Sequence, residues 1–157
     1  MHRFASLVLV AGVIAAAGCG SGGGSAPSKA EFGASADKVC AKAEKSLQNI
    51  GTGAKTREDV AKAVDKVIDE TQSSLDELKA LDRPDGDAGD AADKFIASLE
   101  HDIKDKGIPA LEKLRDAARA NDQKAAQQAI AQLQAIDSSD TDKLAVAAGA
   151  KGCANSN

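Results

Sequence analysis

Residues 56–84, TREDVAKAVDKVIDETQSSLDELKALDRP, decide the fold. Thr56 followed three residues on by Asp59 is an N-terminal capping pattern, in which each side chain satisfies the other's backbone N–H. Val60, Val64, Val67, Ile68, Thr71, Leu75, Leu78 and Leu81 then recur at helical spacing. Arg83-Pro84 closes the run, because the residue before a proline avoids the helical region. A helix from Arg57 to Leu81 is about 38 Å long with one apolar face. A helix of that kind buries its face only against other helices or a sheet.

The flanking sequence supplies helices. Upstream, Ser28 and Glu31 form a second capping box, with Ser35 and Asp37 offering another start after Gly33. Phe32, Val39, Ala43, Leu47 and Ile50 form the apolar stripe of this first helix, and Gly51 is its expected C-cap. Downstream, Asp85, Asp87 and Asp90 precede a third stripe of Phe95, Ile96, Leu99, Ile103, Leu111 and Leu114, ending near Arg119. Pro109 inside that stripe lacks a donor and crowds the carbonyl four residues back, which predicts a kink or break. Asn121-Asp122 reads as a left-handed residue followed by the next N-cap. Ala126, Ala129, Ile130, Leu133 and Ile136 make a fourth helix. Ser139 and Asp142 make a fresh capping box, predicting a break near Asp137 and a short helix over 144–148. Between Glu31 and Cys153 the chain holds 25 Ala and 23 Val, Leu, Ile or Phe. Such a composition favours close-packed helices over a sheet and argues against a wide hollow interior. The expected fold is all-α: an antiparallel up-down four-helix bundle with a kinked third helix.

The N-terminus carries an address. His2 and Arg3 are followed by an almost wholly apolar Phe4–Ala17, then Ala16-Ala17-Gly18-Cys19. That is the layout of a secretory signal with a small-residue cleavage site. The apolar run is 14 residues, shorter than the roughly 20 a spanning helix needs. The cysteine at the cut resembles the lipobox of bacterial lipoproteins, with Ala16 where that pattern usually has Leu. The resemblance implies cleavage before Cys19, a diacylglyceryl group on its sulfur, and residence on the extracytoplasmic face of the cell membrane. Two acyl chains suffice for stable anchoring. Plain secretion without lipid is the alternative, and it leaves Cys19 as an odd thiol in an oxidising compartment. Residues 1–18 are thus read as signal peptide, 19–30 as a flexible Gly/Ser-rich tether, 31–153 as the helical domain and 154–157 as a disordered tail.

With Cys19 taken by lipid, Cys40 and Cys153 are the remaining thiols, an even number in an oxidising compartment. The competing reading is a redox pair or a thiolate metal site, but there is neither a CxxC spacing nor a nearby His. Four antiparallel helices also bring the start of the first and the end of the last to one pole. A disulfide joining the first helix to the C-terminus is therefore expected.

Candidate chemistry is sparse. Asp85, Asp87 and Asp90, with Asp82, invite a calcium reading, yet Gly89 is misplaced for an EF-hand loop and Ile96 stands where its Glu belongs. Acidic residues at a helix N-terminus are otherwise explained by the helix dipole. Asp137, Asp140 and Asp142 form a similar cluster. His101, the one histidine after the signal, points away from the apolar face with Asp105 one turn on, too few ligands for zinc. Asp65, Asp69 and Asp76 with Lys62, Lys66 and Lys79 read as a solvated face. No phosphate loop, dinucleotide fingerprint, nucleophile elbow or aromatic stacking platform occurs, so neither enzyme nor cofactor is expected. The formal net charge of −4, becoming −5 once Arg3 is removed, disfavours nucleic acid.

Cys19, the Val39-Cys40-Ala41 stretch, Leu81-Asp-Arg-Pro84, the Asn-Asp turn and the late Gly-x-x-x-Cys153-Ala154 together resemble small Ala-rich lipoproteins of actinobacterial type. That resemblance implies fold and location and no activity. The leading expectation is a membrane-anchored, non-enzymatic interaction or structural module at the cell envelope, its partner another envelope protein. The second is an envelope carrier or sensor that binds a small apolar ligand between helices, with the Pro109 kink as the expected place.

Overall fold

A computed structural model describes residues 25–155. The signal peptide, Cys19 and most of the tether lie outside the described residues, as do the last two residues of the tail. Every regular element among the described residues is helical, and Cys40 and Cys153 are joined by a disulfide. The α-helices are α1 (Lys29–Leu47), α2 (Arg57–Lys79), α3 (Asp87–His101), α4 (Ile108–Ala120), α5 (Gln123–Gln134) and α6 (Ser139–Ala148). A π-helical segment, Asp102–Gly107, joins α3 to α4, and Cys153–Asn155 is a 3₁₀ turn.

Local chemistry sets most of the boundaries. Both capping boxes form: Ser28 with Glu31 on α1, and Thr56 with Asp59 on α2. The hydrogen bonds received there hold the Glu31 and Asp59 carboxyls below the usual carboxylate range, chiefly from the Ser28 backbone N–H and the Thr56 side chain. The Ser28 cap starts α1 at Lys29, so residues 29 and 30 belong to the helix and not to the tether. The second start at Ser35 is unused, and α1 ends at Leu47, short of Gly51, which is left-handed at φ 82° in the following turn. Asn121 is left-handed at φ 56°, and the Asp122 carboxylate accepts the Ala125 N–H at 2.9 Å to open α5. The expected box at Ser139 does not form. Asp137 instead accepts the Ser139 N–H at 2.9 Å, and α6 begins five residues earlier than the predicted 144.

The run that contains Pro109 stays helical from Asp87 to Ala120. A π-turn closes hydrogen bonds one residue further along than an α-turn. The wider turn ahead of Pro109 relieves the crowding that an α-helical proline imposes on the carbonyl four residues back. Pro109 itself sits in the first turn of α4, where a missing N–H costs least.

Helix α2 packs against α4, α3 against α6, α4 against α5, and α1 against α2. One core joins α1, α2, α3 and the C-terminal segment through Phe32, Ala36, Leu78, Phe95, Ile96 and Ala148, with Phe32 and Phe95 each 1% exposed. On α2, Val60 turns outward and Ala61 takes the buried place. Three polar ties were not foreseen from sequence. Asp65 leaves the supposed solvated face to receive Arg115 and Arg119 of α4, at 3.3 and 2.9 Å. Arg83 donates to the Lys79, Leu78 and Leu81 carbonyls at the end of α2 and to Asp93 at 3.0 Å, with its guanidinium 5.7 Å from the centroid of the Phe32 ring. Asp37 accepts the backbone N–H groups of Gly152 and Cys153 at 2.7 and 3.3 Å. That carboxylate and the disulfide hold the 153–155 turn, so helical structure reaches Asn155, where a disordered tail was expected from 154.

Candidate functional site

The sulfur bridge ties α1 to the C-terminal turn near one end of α6, while contact between α1 and α6 themselves is slight. The second half of α1 and the α5–α6 turn therefore stand apart, and a cleft of about 490 Å³ opens between them. Val39 and Leu47 of α1 form one wall, and Leu75 of α2 with Phe95, Leu99 and Ile103 form the floor. Ser138, Thr141 and Asp142 form the opposite wall. The volume falls in the range of small-molecule sites, which are largely apolar with a few placed polar groups. An Ala-rich sequence was expected to leave little hollow. The space arises at the surface of the core, where α1 diverges from its neighbour, and no residue from 104 to 137 lines it, so it is not at Pro109.

The polar end of the cleft is organised around Thr141, which is 5% exposed. Its hydroxyl donates to Asp102 Oδ2 at 2.7 Å. With that proton used, the Ser98 hydroxyl, also 2.7 Å away, is the donor in the second bond. Lys106 completes the chain through Asp102 Oδ1 at 2.6 Å. Burial pushes the Asp102 carboxyl upward, but the hydrogen bonds from Lys106 and Thr141 outweigh it and hold the group ionised below its ordinary value. Sequence reasoning missed this chain. The signal available was the spacing of Thr141, Ala145 and Ala148, one buried stripe on α6 that begins with a hydroxyl.

No family model, curated protein or solved structure matches the chain.

The other candidates fall apart in space. Among the described residues no group of three or more His, Cys, Asp or Glu is placed to hold a metal ion. Asp85, Asp87 and Asp90 are exposed, the latter two in the first turn of α3, where the helix dipole accounts for them. His101 is exposed and its Nδ1 lies 2.6 Å from Asp105, one turn on, and it is not among the residues that line the cleft. Asp137, Asp140 and Asp142 separate in role: Asp137 accepts the Ser139 N–H ahead of α6, Asp140 pairs with Lys143 at 2.8 Å, and Asp142 faces the cleft. No helix among the described residues is long and apolar enough to cross a membrane.

Proposed function

We propose that the mature chain is a lipid-anchored protein of the extracytoplasmic membrane face, of the small Ala-rich actinobacterial lipoprotein type, whose helical domain carries or senses a small apolar ligand. The observation that carries the ligand reading is the cleft beside α1, apolar along its walls and floor and polar at one end. The anchor rests on Cys19 behind a cleavable apolar stretch. The up-down four-helix reading enters here too, with α3, the π-segment and α4 as one bent long helix and α5 with α6 as the last. The pairings of α1 with α2 and of α2 with α4 support it.

An interaction module was the leading expectation from sequence. The carrier reading is preferred here because the cleft offers a largely apolar space for a small molecule. Organic extraction of the chain purified from its envelope, followed by mass spectrometry, is expected to yield a stoichiometric apolar molecule. An empty extract, together with a specific protein captured by crosslinking in the envelope, returns the interaction module. Cys19→Ala is expected to move the chain from the membrane to the soluble fraction, and fatty-acid labelling that is unchanged in this variant removes the anchor.

A further inference from the structure

We infer that the cleft holds a single-chain amphiphile in one orientation, with its hydrocarbon tail against the Cys40–Cys153 bridge and its polar head at the end of α1. The inference rests on the ligand reading above. Helix α1 runs antiparallel to α2: Lys42 pairs with Glu77, and the backbone at Gly51 lies beside Ala63. That register defines two ends of the cleft. Val39 falls at the end that holds Leu78, while Gln48, six residues on from Lys42, comes opposite Thr71, six back from Glu77. Phe95 of α3 shares the core with Phe32 and Ala36 at the first end, and Asp102 lies two turns further along, beside Thr141.

The first end is dry and blind. Cys40 and Cys153 both line it, and one turn earlier on α1 the space is sealed, with Ala36 0% exposed and Phe95 1%. Cys153 Sγ lies 3.5 Å from the Ala36 carbonyl oxygen, which leaves no passage beneath the bridge. The second end is wet and open. Leu47 is the last residue of α1, Gln48 beyond it is exposed, and Gln48, Thr71 and Ser138 bring amide and hydroxyl groups to the lining. A polar head pushed to the blind end loses its hydrogen bonds to water and finds no partner, whereas at the mouth it keeps them. Between the two ends α1 offers one apolar side chain per turn, Val39, Ala43 and Leu47, so the space is elongated along that helix. Those eight residues rise about 12 Å, the extended length of roughly nine or ten carbons. Methylenes beyond that number reach past the mouth and stay in water.

The test uses the full chain with Cys19→Ala, which keeps acyl groups and detergent out of the assay. Straight-chain primary alcohols from hexanol to tetradecanol, each below its solubility limit, are titrated against a neutral apolar dye held in the cleft. Affinity is expected to rise about fourfold per methylene and to level off near ten carbons. Decane-1,10-diol, which must carry one hydroxyl to the blind end, is expected to bind at least about tenfold more weakly than decanol. Val39→Phe, which fills the blind end, is expected to move the break to shorter chains while the far-ultraviolet circular dichroism stays the same. Affinity that climbs without a break to tetradecanol, a diol that matches decanol, or a break that stays in place in the folded variant overturns the orientation and leaves the ligand reading standing. A dye that binds and that no alcohol displaces, or a dye that never binds, overturns both.

Discussion

Gly33 lies in the interior of α1, where glycine ordinarily weakens a helix relative to alanine. It is there because the backbone of Gly149 passes directly over it: a Cβ on Gly33 would collide with the Gly149 carbonyl. Gly107 is also helical, at φ −66°, but a Cβ there would meet nothing nearer than the Asp102 carbonyl at 3.5 Å, an ordinary contact. The same substitution should therefore act with opposite sign at the two positions. Gly33→Ala is expected to destabilise the fold by about 1–3 kcal/mol through overpacking. Gly107→Ala is expected to be neutral or to stabilise by up to about 1 kcal/mol. Urea denaturation followed by circular dichroism distinguishes the two, and equal losses would show that backbone approach at Gly149 is not what fixes Gly33.

At the scale of elements, capping chemistry was legible because it is local: Ser28, Thr56, Asn121 and Asp122 each act on groups within five residues. Asp37, Asp65 and Thr141 were not, because their partners lie 39 to 116 residues away. A lone sequence does not reveal which polar residue on a helix face will meet a neighbour. Cys40 and Cys153 escaped that limit, since a chain with few cysteines leaves few pairings. Their bridge spans a sequence separation of 113, for which the chain-entropy model gives close to 4.7 kcal/mol, with about 2–5 kcal/mol usual in practice. The double variant Cys40→Ser, Cys153→Ser should lose stability in that range by urea denaturation. It should also bind a neutral apolar dye in the cleft more weakly, because both cysteines line the cleft. Glu100 supplies a further inter-helix tie, taking Lys104 at 2.6 Å and Lys79 of α2 at 2.7 Å. Hydrogen bonds from those two lysines lower its carboxyl to about 2. A depressed carboxyl contributes stability above its unfolded value of 4.5, and that contribution is lost as pH falls toward about 2. Melting temperatures of the native chain and of Glu100→Gln should therefore converge as the medium is acidified across that window. A gap that stays constant from neutral pH down through it would count against the tie.

For the molecule as a whole, the decisive feature is that α1 and the 153–155 turn are fastened at one place while the walls beyond it stand open. The Ala-rich composition made helices and close packing legible, and for the same reason it hid the cleft. Small side chains pack tightly wherever two helices touch, and the hollow depends on where they do not. Ala43 marks that difference, since it faces the cleft and is half-buried rather than core. Ala43→Phe adds a ring to space the fold leaves open, so stability should hold or rise slightly as apolar area is covered. The same ring occupies the cleft between Val39 and Leu47, so binding of a neutral apolar dye there and recovery of any extracted molecule should be lost together. Equilibrium denaturation and dye titration on one preparation separate the outcomes. Unchanged stability with abolished binding is the signature of a filled site. A loss of stability of the size seen for overpacked cores, about 1–3 kcal/mol, would mean that the walls close on each other in solution and that no ligand space exists between α1 and α6.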